Sequence, residues 1–195
     1  MTFEETYLND NILDALYDMR FEEMTPIQER CIPEILDGRD VLGVAQTGTG
    51  KTAAYLLPIL SMLDDDRNLP PPAASPTPLR KYPDDAINCV VMAPTRELAQ
   101  QIDQAMEGFS YYMDGISSIA VYGGNDGSRF DQETKSLRGG APVVIATPGR
   151  LLSHLKVGSL DLSRTNFFVL DEADRMLDMG FSEDIMQINA LLPQY

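Results

Sequence analysis

Five short apolar runs, interleaved with four stretches of helical spacing, leave this chain few ways to fold. Residues 41–45 (VLGVA), 88–93 (NCVVMA), 118–122 (SIAVY), 143–147 (VVIAT) and 167–171 (FFVLD) are nearly continuous in apolar side chains, as strands covered on both faces must be. Residues 51–63, 97–112, 151–157 and 183–192 carry apolar positions three and four apart, which predicts helices. Alternating strands and helices build parallel βαβ units. The expected fold is therefore α/β, a mostly parallel sheet with helices on both faces. Ahead of the first run, residues 11–19 and 26–36 read as two further helices, the second closed by Gly38. The expected division is a helical extension over 1–38 and an α/β domain over 39–195. Residues 64–85 open on DDD and continue through NLPPPAASPTP, too polar and proline-rich for a helix or central strand, so an exposed loop is expected there.

Composition narrows the partners. No apolar run reaches the length that spans a bilayer, and the acidic start MTFEETYLND lacks an apolar signal segment; the expectation is a cytoplasmic protein with no membrane partner. A net charge of −15 argues against gathering nucleic acid by bulk attraction. A local site can override that, if backbone amides and a few arginines meet phosphates while the acidic residues lie elsewhere. Cys31 and Cys89 sit far apart in apolar contexts with no CxxC pattern, which points to core packing. His154, the only histidine, has no second ligand or paired nucleophile in its helical context and is assigned a structural or surface role. Met176 and Met179 are expected to pack around the helix after residues 171–174.

Two segments carry chemistry. Residues 45–52, AQTGTGKT, follow a candidate strand and open a helix, the context of a phosphate-binding loop. Gly48 and Gly50 let backbone amides turn around an anion, Lys51 brings a cation to β/γ-phosphates, and Thr52 offers a hydroxyl to Mg²⁺. Ala45 stands where the generic pattern has its first glycine, and a glycine-rich turn capping a helix is the plainer alternative. The second segment, Asp171-Glu172-Ala173-Asp174, follows an apolar run, where parallel sheets present ligand groups. There Asp171 can hold Mg²⁺ through water and Glu172 can orient and deprotonate an attacking water. An acidic helix N-cap is the alternative.

Together, AQTGTGKT and DEAD after VL resemble a DEAD-box RNA helicase. Pro94-Thr95-Arg96-Glu97-Leu98-Ala99 with Gln101 is similar to the family's motif Ia, Gly123-Gly124 to its GG element, and Thr147-Pro148-Gly149-Arg150 to its motif Ib, all in the family's order. Upstream, Phe3, Phe21 and Met24-Thr25-Pro26-Ile27-Gln28 resemble the Q motif and its isolated aromatic; Arg20 departs from the family's usual glycine. The resemblance implies a RecA-like P-loop domain of an ATP-dependent helicase that unwinds short RNA duplexes or remodels RNA–protein complexes. Phe21, Thr25, Gln28, Gln46, Thr47, Gly48, Thr49, Gly50, Lys51 and Thr52 would bind ATP, with Lys51, Asp171 and Glu172 catalytic and Thr52 and Asp171 at Mg²⁺. Pro94, Thr95, Arg96, Gly124, Thr147, Pro148, Gly149 and Arg150 would hold the backbone of one RNA strand without reading bases. Thr25, Pro26 and Gln28 also make an N-cap, an N1 proline and a T-x-x-Q capping box, and TPGR also reads as an ordinary helix start.

The resemblance further implies a strand carrying a Ser-Ala-Thr motif, and a second RecA-like domain supplying arginine fingers and half the RNA surface, neither present within these 195 residues. In such folds that strand lies between the one ending in the phosphate loop and the one ending in Asp171. A gap in the sheet, weak stability and near-inactivity of the isolated chain are expected from its absence. A silent interaction fragment, or a P-loop ATPase acting on DNA, are the other readings.

Overall fold

The computed structural model describes residues 1–68, 82, 86–123 and 127–193. It divides into two compact units, one formed by residues 1–81 and 105–116, the other by residues 82–104 and 117–195.

The first unit is helical. After a 3₁₀ turn over Phe3–Glu5 come α1 (Asp10–Asp18), α2 (Pro26–Leu36) and α3 (Lys51–Asn68), with α1 and α2 both packed on α3. Ile12, Leu16, Ile32, Leu57, Leu60 and Leu63 are fully buried, and burying each such side chain contributes roughly 1.5–3 kcal/mol. The N-caps follow the sequence: the Asn9 carboxamide accepts from Ile12 N at 3.0 Å, and Pro26 opens α2 where its missing N–H costs nothing. Two expectations fail here. Residues 64–68, expected in a loop, continue α3, because Asp64 is buried and binds the side chains of Asn9 and Asn11 at 2.8 Å and Asn68 at 3.1 Å. Of the rest of the expected loop, residues 69–81 and 83–85 lie outside the described residues. Residues 41–45 form no strand, and Leu42 and Val44 are 90 % and 86 % exposed. An extended segment needs a ladder partner for its amides and carbonyls, and among the described residues no strand pairs with it.

The second unit holds the sheet. Its elements are β1 (Cys89–Met92), the first part of α4 (Arg96–Phe109), β2 (Ser118–Val121), α5 (Gly127–Gly139), β3 (Val143–Ala146), α6 (Pro148–Lys156), β4 (Phe167–Leu170), α7 (Ala173–Asp178) and α8 (Ser182–Ala190). All pairings are parallel and the order is β2-β3-β1-β4. Val90, Val144, Phe168 and Ile119 share one register row, and Met92, Ala146, Leu170 and Val121 share the row two residues on, which faces the same way. Side chains from both rows pack against Leu137 of α5, Leu151 and Leu152 of α6, Met176 of α7, and Ile185 and Ile188 of α8. On the opposite face Cys89, Val91, Val143 and Ile145 are fully buried. Four of the five apolar runs thus form the α/β sheet expected. Met176 joins the core, but Met179 is exposed, one step past the end of α7. No helix among the described residues is long and apolar enough to cross a membrane.

Candidate functional site

In the first unit the phosphate-loop pattern opens α3, an 18-residue helix whose first amides have no intrahelical partner. Gly48 and Gly50 both adopt φ of +83°, where a side chain is strained. A Cβ on Gly48 would meet open space, whereas one on Gly50 would lie 2.3 Å from Gln28 Nε2. The loop is tightened by Thr49 Oγ1 donating to the Gln46 carbonyl, and Gln46, Thr47 and Gly48 are exposed, with Lys51 and Thr52 half-buried. Free amides at a helix N-terminus beside an ammonium and a hydroxyl are a donor set suited to a polyphosphate.

Gln28, 5 % exposed, joins that loop to α2. Its Oε1 accepts from Thr25 N at 3.0 Å, the carboxamide half of a capping box, and its Nε2 donates to the Gly50 carbonyl at 3.1 Å. Capping and loop contact therefore coexist on one side chain. Phe21 is partly exposed between two rings, 6.2 Å from Phe3 and 6.0 Å from Phe109 by centroids.

The path into Phe21 settles the departure at Arg20. Arg20 N donates to Tyr17 O and Phe21 N to Leu16 O, and Arg20 has a φ of +62°. That is a Schellman closure, with arginine where glycine is favoured. Three other helices close with the same bonds around Gly38, Gly158 and Gly180. The backbone keeps its turn, and Arg20 bears the left-handed penalty.

In the second unit the candidate residues lie at the C-terminal ends of the parallel strands. Asp171, buried, follows β4 and its N–H donates to the Met92 carbonyl at 2.9 Å. Glu172 has φ 51° and ψ 50°, uncommon for a residue with a side chain and a form of strain that gathers at functional sites. Its carboxylate accepts from Arg175 Nη1 at 3.3 Å. After β1, Pro94 is buried, Arg96 is exposed, and Thr95 Oγ1 accepts from Leu98 N at 3.2 Å. After β3, Thr147 is the N-cap of α6 without a side-chain cap bond, Pro148 is its first residue, and Gly149 is exposed. Gly124 lies outside the described residues; Gly123 is exposed. Among the described residues no group of three or more His, Cys, Asp or Glu side chains encloses a metal-sized site. Magnesium, which keeps several waters and takes one or two carboxylates beside phosphates, does not require one.

Arg150 is not a free cation. Its Nε donates to Glu133 Oε1 at 2.7 Å, and the same oxygen is 2.9 Å from His154 Nε2. Glu133 Oε2 accepts from Tyr122 N at 3.2 Å, just before Gly123. Phe130 stacks on His154 at 4.0 Å between centroids, Arg150 lies over Phe130 at 4.8 Å, and Arg129 lies over the Tyr122 ring at 4.1 Å. Gln100, donating to Tyr122 Oη at 3.0 Å, and then Arg129 hold that phenol below its usual range. Arg129, Phe130 and Glu133 were not singled out in the sequence; their 0, +1, +4 spacing on α5 was the available signal.

The DEAD/DEAH box helicase family model matches residues 25–195. The chain is 48% identical over 193 residues to the ATP-dependent RNA helicases DeaD of Klebsiella pneumoniae and of Escherichia coli K12, covering 99% of this chain and 27% and 28% of those proteins. It is 45% identical over 194 residues to DeaD of Haemophilus influenzae, covering all of this chain and 28% of that protein. The chain thus spans little more than a quarter of the length of these relatives. With the phosphate loop, the residues around Gln28 and the DEAD tetrapeptide lying within the matched span, the chain belongs to the DEAD/DEAH box helicase family.

Proposed function

We propose that this chain is the ATP-binding first domain of an ATP-dependent RNA helicase, working with a second RecA-like domain to open short duplexes or remodel RNA–protein complexes. The observation that carries the reading is the bond from Gln28 to Gly50, which ties the adenine-reading segment to the phosphate loop. Phe21 packs on the adenine ring and Gln28 meets its edge. Gln46, Thr47, Gly48, Thr49 and Gly50 wrap the phosphates, while Lys51 offsets their charge. Thr52 and, through water, Asp171 would hold Mg²⁺, which when bound supplies charge neutralisation at the β- and γ-phosphates. Glu172 orients the attacking water and takes its proton. Thr95, Arg96, Gly124, Thr147, Gly149 and Arg150 hold the RNA backbone, so binding is independent of base sequence. An arginine finger supplied by that second domain would be worth about 10³ to 10⁵ in rate, as in related phosphoryl transfers. Titration with fluorescent ADP and GDP tests the reading. ADP is expected to bind more tightly, and Lys51→Ala to abolish binding; equal affinity for both nucleotides would count against it.

A further inference from the structure

The α5 helix grips the chain before Gly123 and the TPGR turn of the second unit through one buried carboxylate. Glu133, 6 % exposed, has Arg150 Nε and His154 Nε2 on one oxygen and the Tyr122 amide on the other. Tyr122 directly precedes the Gly123-Gly124 pair, and Arg150 lies in the TPGR turn that opens α6. Phe130 and Arg129 reinforce the grip, the first flat against His154 and beneath Arg150, the second over the Tyr122 ring. A carboxylate held by so many donors is an anchor, and it engages only Nε of Arg150. The guanidinium carries five donors in a planar fork; with Nε on Glu133 and Nη2 buried, the orientation fixed at Nε sets the plane in which Nη1 can meet an oxyanion.

We infer that Glu133 is a positioning residue for RNA, orienting the Arg150 guanidinium toward a backbone phosphate and fixing the chain entering Gly123. This rests on the reading of Arg150 as an RNA ligand. A guanidinium held in one orientation loses less side-chain freedom when phosphate binds, so the benefit appears as RNA affinity and leaves adenine nucleotide binding unchanged. Glu133 touches no RNA itself.

The test uses this chain, a fluorescein-labelled oligouridylate and anisotropy at low salt, with fluorescent ADP affinity as the control. Arg150→Ala is expected to weaken RNA binding, and Glu133→Gln, which keeps shape and an acceptor but loses charge, to weaken it about five- to tenfold, the order of one lost hydrogen bond. The double variant should bind no more weakly than Arg150→Ala. If Arg150→Ala leaves RNA affinity unchanged, the RNA reading of Arg150 fails and the inference with it. If Arg150→Ala weakens binding but Glu133→Gln leaves it equal or tighter, only the role of Glu133 is overturned. The Arg150 Nε–Hε NMR signal gives an independent readout, valid even if Glu133→Gln fails to fold. In the unsubstituted chain it should be slow to exchange with water and shift on RNA addition, and a fast-exchanging signal indifferent to RNA would overturn the assignment.

Discussion

The side-chain nitrogen of Gln28 donates to the backbone carbonyl of Gly50 at 3.1 Å, while the oxygen of the same carboxamide accepts from the Thr25 amide at 3.0 Å. One buried residue therefore caps a helix and fixes the bend of the phosphate loop. Gln28→Ala removes both bonds and is expected to lower stability by about 2 kcal/mol, combining a lost N-terminal cap with an unmatched carbonyl. Gln28→Glu keeps the acceptor for Thr25 and sets a carboxylate against the Gly50 carbonyl, so it should retain the cap and still lose nucleotide affinity. Gly50→Ala should fail on both counts, because its Cβ would sit 2.3 Å from Gln28 Nε2 at a φ of +83°. Urea melts and fluorescent ADP titrations of the three variants separate these effects; wild-type behaviour of Gln28→Ala would refute the linkage.

Arg20 occupies a left-handed position that glycine fills at the ends of α2, α6 and α7. Arg20→Gly is expected to stabilise the chain by about 0.5–1 kcal/mol, the left-handed penalty less the greater freedom of unfolded glycine. The urea midpoint should rise with an unchanged slope. A fall in the midpoint would mean that the arginine side chain contributes more than its backbone costs.

Burial pushes the Cys89 thiol up to about 12. An unfolded thiol loses its proton near pH 8.5, so above that pH the folded state holds more protons than the unfolded one and stability must fall as pH rises. The contribution is fully present below about pH 8.5 and is lost progressively toward pH 12. Cys89→Ala should be less stable at neutral pH, through the small cavity it leaves, but its stability should decline less steeply in alkali. Parallel slopes for the two proteins would count against the assignment. Native Cys89 should also resist iodoacetamide until the chain is unfolded.

Asp64 gathers three side-chain amides, those of Asn9, Asn11 and Asn68. Asp64→Ala leaves these donors without their shared acceptor and should cost about 2–4 kcal/mol, read as a lowered melting midpoint. Replacement of Asp65, which is exposed and shares only the Asn9 amide, should change little by comparison.

These two helix ends show where sequence is informative. Apolar periodicity predicts α1, α2 and four of the strands because each buries one continuous stripe or run. It does not reveal that residues 41–45 lack a strand to pair with, since pairing belongs to the neighbour and not to the run itself. Asp64 reads as the start of a loop because its partners at Asn9 and Asn11 lie more than fifty residues away. The geometry of the first unit's candidate site, its two left-handed glycines at a helix start and its capping box, was legible through the local grammar of glycine, lysine and caps. The Glu133 contacts to Arg150 and His154 were not, because α5 buries little apolar surface and its central carboxylate is indistinguishable in sequence from a solvated one. At Arg20 the sequence flagged the departure, and only the φ of +62° shows its consequence.

The place of β1 at the interior of the sheet has a consequence for the birth of the protein. Both strands that flank it come later in the chain, and the pairing with β4 opens on Thr165 Oγ1 donating to the Ile87 carbonyl, a contact that spans 78 residues. At a synthesis rate of about 5–20 residues per second, the apolar run Cys89–Met92 emerges from the ribosome roughly 4–16 s before the partner on its far side exists. Among the described residues no strand encoded upstream pairs with it. The nascent chain is therefore a substrate for factors that shield extended apolar segments, and a translational pause placed between β3 and β4 should prolong the need for them.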